Sequence, residues 1–181
     1  MNIAKEVTVK RSVRISLVGL LASAIAVPAA ISLATSSDAA TTKVTNTLQS
    51  MAAEEKLAHD VYVTLGERYN LVILENISNA ESTHLEALRI LMDRYGVVDP
   101  TAGDAVGEFD DADIQSLYDR LVSRGEQSVI DAMKVGVRIE KLDIADLNEQ
   151  LAKSLPSDIS NVLRNLRSGS QRHLTAFSRF S

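Results

Sequence analysis

Apolar side chains recur along this chain in alternating steps of three and four, over four long stretches. That spacing keeps one face of a helix turned toward a core. The first stretch runs from about Thr47 to Tyr69, with the stripe Leu48, Met51, Glu55, Ala58, Tyr62, Leu65, Tyr69. The second spans about Val72 to Tyr95, with Ile77, Glu81, His84, Leu88, Leu91 and Tyr95, and Gly96 stands as its stop. Residues 97–109 hold Pro100, Gly103 and Gly107 and read as a loop. A short helix from Asp111 to Ser123 follows, with Ile114, Leu117, Tyr118 and Leu121 as its apolar face. The third long stretch, about Glu126 to Lys153, carries Met133, Gly136 or Val137, Glu140, Asp143 or Ile144, Leu147 and Leu151. The fourth opens at Pro156 with Ser157 or Asp158 as cap, and continues Ile159, Leu163, Leu166, Ser170, His173, Phe177, Phe180. Strand-like alternation is scarce, so the pattern predicts an all-α fold.

Each stripe is interrupted near its middle. The intruders are Glu55, then Glu81 with His84, then Glu140 with Asp143, then Ser170 with His173. Glu81 and His84, three residues apart, share one helical face and can close on one metal ion. A buried carboxylate without a partner costs several kcal/mol. Four facing one another are prohibitive unless cations lie between them, and two divalent ions supply the matching charge. Two alternatives stay open: one or two of the acids tilt to solvent, or the set forms a metal-free hydrogen-bonded network. His59, one turn after Glu55, is a further candidate ligand at the edge of its stripe. Glu54, Lys56, Glu67, Arg68, Asp146 and Glu149 read as solvated charge. The loop acids Asp99, Asp104, Glu108, Asp110 and Asp111 match no EF-hand spacing and read as caps and surface.

Taken in order, these motifs resemble the ferritin-like di-iron or di-manganese carboxylate proteins, four-helix bundles with a long crossover. The short helix and loops between the second and third long helices fill the place of that crossover. Glu55 matches the lone Glu of the first helix and Glu81-x-x-His84 the pair on the second. Glu140 matches the lone Glu of the third, and His173 the His of the fourth. More narrowly, Glu54-Glu55-Lys56-Leu57-Ala58, Tyr95-Gly96, Ile139 to Ile144 and Ser170-x-x-His173-Leu174 resemble the family catalogued as domain of unknown function 2202. The resemblance covers about Leu48 to Phe180. Ser170 departs from the wider pattern, which has Glu there; this leaves either a site one carboxylate short or a substitute elsewhere, for which Asp143 is the obvious candidate. The metal set it implies is Glu55, Glu81, His84, Glu140, Asp143 and His173, holding two iron or manganese ions, with zinc able to bind as well. The implied chemistry is ferrous oxidation, or reduction of peroxide or dioxygen with an external reductant. Tyr62 is a candidate to support that chemistry. Small residues (Ala58, Ala80, Gly136, Gly169, Ser170) are expected to leave room for water or a small oxidant. A non-catalytic metal-binding or interaction module is the competing reading, and a metal-free helical adaptor the third.

The first forty residues differ in kind. Lys5, Lys10, Arg11 and Arg14 precede an uncharged run from Ile15 to Val27, then Pro28 and small residues as far as Ala40. This describes an export signal over residues 1–40, or an uncleaved membrane anchor, ahead of a helical domain over 44–181. The domain is then expected in the periplasm, outside the cell, or on the outer face of the membrane. Loss of those four basic residues with Glu6 and Asp38 takes the net charge from −5 to −7, which suits cations better than nucleic acid. The chain has no Cys, so thiolate ligands and disulfides are excluded. A homodimer is compatible with all of this.

Overall fold

The computed structural model describes residues 34–180. The expected export segment therefore lies, through residue 33, outside the described residues. Five helices make up the described chain: α1 (Ala34–Tyr69), α2 (Val72–Tyr95), α3 (Ala112–Gly125), α4 (Val129–Leu151) and α5 (Ser157–Ser178). Only Asn70 and Leu71 separate α1 from α2, and a short turn separates α4 from α5, so each pair folds back as a hairpin. Asn70 takes the left-handed conformation (φ 51°) that this turn needs, and Gly96 (φ 64°) closes α2 the same way. The two hairpins meet along α1 with α4 and α2 with α5, and α3 leans on α1 and α4. No helix among the described residues is long and apolar enough to cross a membrane.

The apolar stripes build two clusters rather than one. Val44, Leu48, Met51, Leu85, Leu88, Leu163 and Leu166 belong to one. Val61, Tyr62, Leu65, Leu74, Met133, Ile139 and Phe177 belong to the other. Every long helix passes from one cluster to the other, and the polar intruders sit at the crossing. Each fully buried Leu or Phe contributes about 1.5–3 kcal/mol, so the two clusters carry the fold on either side of a polar layer.

Several expectations are corrected. Helix α1 begins at Ala34, not near Thr47. Residues 38–43 are exposed, so this Ala- and Thr-rich start projects past the bundle without a stripe to reveal it. Burial begins at Val44, and Thr47 donates to Gln150 Oε1 at 2.8 Å. The cap of α5 is Pro156, without a side-chain bond; Asp158 accepts instead from Arg94 and Tyr95 at the end of α2. Phe180 lies beyond α5 and is exposed. Lys56, expected in solvent, is buried because the crossover loop covers that side of α1. Asp146 is also buried, on the face of α4 that carries Leu147 and Gln150. Asp111 caps α3 and Asp99 pairs with Arg89, as caps and surface acids do.

Candidate metal centre

The polar layer gathers side chains from all four long helices. Glu81 of α2 stands at its middle. Its Oε2 lies 2.7 Å from Nδ1 of His84, and its Oε1 lies 2.8 Å from Nδ1 of His173 on α5. Glu55 of α1 brings Oε2 to 3.2 Å from His84 Nδ1. Glu140 of α4 brings Oε2 to 3.7 Å from His173 Nδ1. The two imidazoles stack with centroids 5.6 Å apart. Among the described residues this makes two groups able to hold a cation: Glu55, Glu81, His84, and Glu81, Glu140, His173. In each, the ligand atoms lie within 4.8 Å of one another, and Glu81 belongs to both.

The layer is buried and short of partners. Glu55, Glu81 and Glu140 are at most 2% exposed. Burial drives the Glu55 carboxyl well above its usual range, and Asp143 and Glu81 add to the rise. Burial likewise lifts Glu140 to about 7 and Asp143 to about 6. Burial pushes Glu81 up too, yet His173 and His84 outweigh it and hold the group at about 2. His173 is pulled down by burial and lifted further by Glu140 and Glu81, to about 9. Among the described residues, three buried side-chain polar atoms have no hydrogen-bond partner: Glu55 Oε1, Asp143 Oδ1 and His173 Nδ1. For His173 the distance to Glu81 suits a bond but the direction does not. Buried polar atoms are rarely left unpaired. Carboxylates, imidazoles and unpaired lone pairs converging on one spot are the donor set of a hard-to-borderline divalent cation.

Around this core, Tyr62 is fully buried and donates from its hydroxyl to Glu140 Oε1 at 2.6 Å. Ser170 donates from Oγ to Asp143 Oδ2, so the serine on α5 meets the acid on α4. Asp143 lies beside the two groups without joining either. His59 turns away, with Nδ1 2.7 Å from Asp60 Oδ1. The room expected from small residues is already filled at two of them. A Cβ on Gly136 would meet the Phe177 ring at 2.7 Å, and one on Gly169 would meet the His84 ring at 2.5 Å. Periodicity missed Gly169, whose only signal was a glycine inside a helix, where it costs about 1 kcal/mol against Ala. A surface depression over α3, lined by Asp119, Arg120 and Arg124 among others, shares no residue with the layer.

Comparison with known proteins bears on this arrangement. Residues 45–180 match the model of an uncharacterised protein domain, DUF2202. The chain is 44% identical over 129 residues to the uncharacterised protein MJ0754 of Methanocaldococcus jannaschii, covering 71% of this chain and 70% of that one. It also superimposes on the crystal structure of hypothetical protein MJ0754 from Methanococcus jannaschii DSM 2661, with a TM-score of 0.73 and 43% identity. That match covers 75% of this chain and 77% of the other. The chain belongs to the DUF2202 family.

Proposed function

We propose that this DUF2202 protein is an exported ferritin-like bundle holding two iron or manganese ions. The observation that carries the reading is the sharing of Glu81 between two carboxylate–imidazole groups, beside buried polar atoms that lack partners. Glu55 and His84 would hold one ion and Glu140 and His173 the other, with Glu81 common to both. Asp143 would bring the fourth carboxylate, because Ser170 stands where the wider pattern has Glu. The ions, when bound, supply one-electron chemistry for ferrous oxidation or for reduction of peroxide or dioxygen. The protein's own part is narrower. Tyr62 orients Glu140 and holds a proton at its hydroxyl. The apolar clusters keep water away from the carboxylates on two sides. The imidazole side chains, 14% and 11% exposed against 1–3% for the three glutamates, lie nearer solvent than those carboxylates. A cysteine-free chain would draw electrons from an external reductant.

The test is metal content and the visible spectrum of the protein purified from its native compartment, followed by ferrous titration. Two ions per chain are expected. A folded protein that binds no transition metal above background overturns the reading. Oxygen or peroxide consumption with a reductant then separates an oxidoreductase from a metal-binding module without turnover.

A further inference from the structure

We infer that Gly169 is a positioning residue, the seat on α5 that fixes the direction of the His84 imidazole. The inference rests on the two-metal reading for its consequence, but its geometry stands alone. A Cβ at Gly169 would lie 2.5 Å from both Cε1 and Nε2 of His84 and 3.7 Å from Nδ1. The outer edge of the ring therefore rests on the bare backbone of α5. The inner edge presents Nδ1 to Glu81 and Glu55 at 2.7 and 3.2 Å. His173 stacks along one face. A ring pushed off this seat changes the position of Nδ1 relative to the two carboxylates it now faces. Gly169 thus acts on the centre without supplying a ligand atom. It also governs one ion selectively, because His84 belongs to the group with Glu55 and Glu81 and not to the group with Glu140.

The experiment is Co(II) titration, followed by visible absorption, of wild type, Gly169→Ala, His84→Ala and the double variant. Histidine ring NMR of the metal-free proteins accompanies it; with three His in the chain, His84→Ala assigns the His84 signal. In Gly169→Ala one ion should weaken about 10–100-fold, the range for groups that orient a ligand. The other ion should keep its affinity. In the His84→Ala background the same glycine change should cost nothing further, a non-additivity that a merely structural role does not produce. The His84 Hε1 signal should move in the metal-free Gly169→Ala protein while His59 stays put. Two ions held at wild-type affinity, or equal losses in both backgrounds, overturn the inference. If wild type takes up no cobalt, the two-metal reading fails, and the His84 signal alone decides: moved, the seat stands; unmoved, it falls. If Gly169→Ala does not fold, folding of the double variant supports the seat, since the ring is gone, and its failure to fold overturns it.

Discussion

Two polar clusters are buried against helix α1 within six residues of each other, and they are built on opposite principles. One centres on Lys56 and Asp60. Lys56 donates to Asp60 and to the carbonyls of Ala105 and Glu108 at 3.0 Å, with its ammonium 4.1 Å from the Phe109 ring centroid. Asp60 also accepts from Gly107 N and pairs with His59. Cation meets anion, and the loop backbone supplies the other bonds. The other cluster sets Glu55, Glu81, Glu140 and Asp143 against two imidazoles and leaves three buried polar atoms without a hydrogen bond. Burial alone therefore says little about role. What separates a strut from a site is whether the protein completes its own charge and hydrogen-bond accounts. The Lys56 cluster does so and pins the crossover loop to α1. The Glu81 cluster does not, and its shortfall is positive charge.

The sharpest way to break that contrast is Glu81→Ala. Both ions should be lost, because both groups use this residue. The metal-free variant should melt no lower than metal-free wild type, since removing one crowded carboxylate relieves repulsion. Elemental analysis and thermal scans check both statements, and a large loss of metal-free stability would favour a metal-free network. Lys56→Ala should do the reverse. It strands Asp60 in a buried place and should cost about 3 kcal/mol in urea unfolding, toward the lower end for breaking a buried pair because other donors remain. Its metal stoichiometry should stay at wild type. Asp143→Asn comes next. One ion should weaken and the other hold, and adding Ser170→Glu should restore two by returning a carboxylate to α5. Unchanged affinity for both ions in Asp143→Asn would show a centre working with three carboxylates.

The smallest effect is in pH, and the two clusters should answer with opposite sign. Glu140 (about 7), Asp143 (about 6) and His173 (about 9) all sit above their ordinary values. The native metal-free centre thus holds more protons than the unfolded chain, so its contribution to stability falls as pH rises from about 4 to about 9. Glu81, held at about 2, works the other way below about 4.5. Asp60 is lowered even against its burial, by His59 and Lys56, so the strut is present above about pH 4 and lost on acidification. Metal binding displaces the protons of the centre. The melting-temperature gain on loading should therefore widen from pH 5 to pH 8, and thermal scans of loaded and metal-free protein across that range check it.

The same contrast explains what could be read from the chain. The bounds of α2, Val72–Tyr95, agree with its stripe and its glycine stop. Glu55, Glu81, Glu140 and His173 announced themselves by occupying apolar positions, and the structure brings them into one layer. Lys56 did not, because its cover comes from the crossover loop, some fifty residues along the chain, and Asp146, read as surface, is buried as well. Periodicity along one helix sees only which face is apolar; it cannot see a loop laid over the edge of that face. Gly169 was noticed only as a small residue, since its meaning lies in a ring on another helix. The start of α1 carries no stripe at all.

The division of the centre between hairpins sets a sequence in time. Glu55, Glu81 and His84 all belong to the α1–α2 hairpin, with Glu55 and His84 29 positions apart in sequence. Glu81, Glu140 and His173 unite both hairpins and join residue 81 to residue 173. Closing the shorter span costs less chain entropy. During refolding one candidate group can assemble while the second hairpin is still searching, and the other forms only on docking. Occupancy of that second group would then mark the moment at which two folded halves become one molecule.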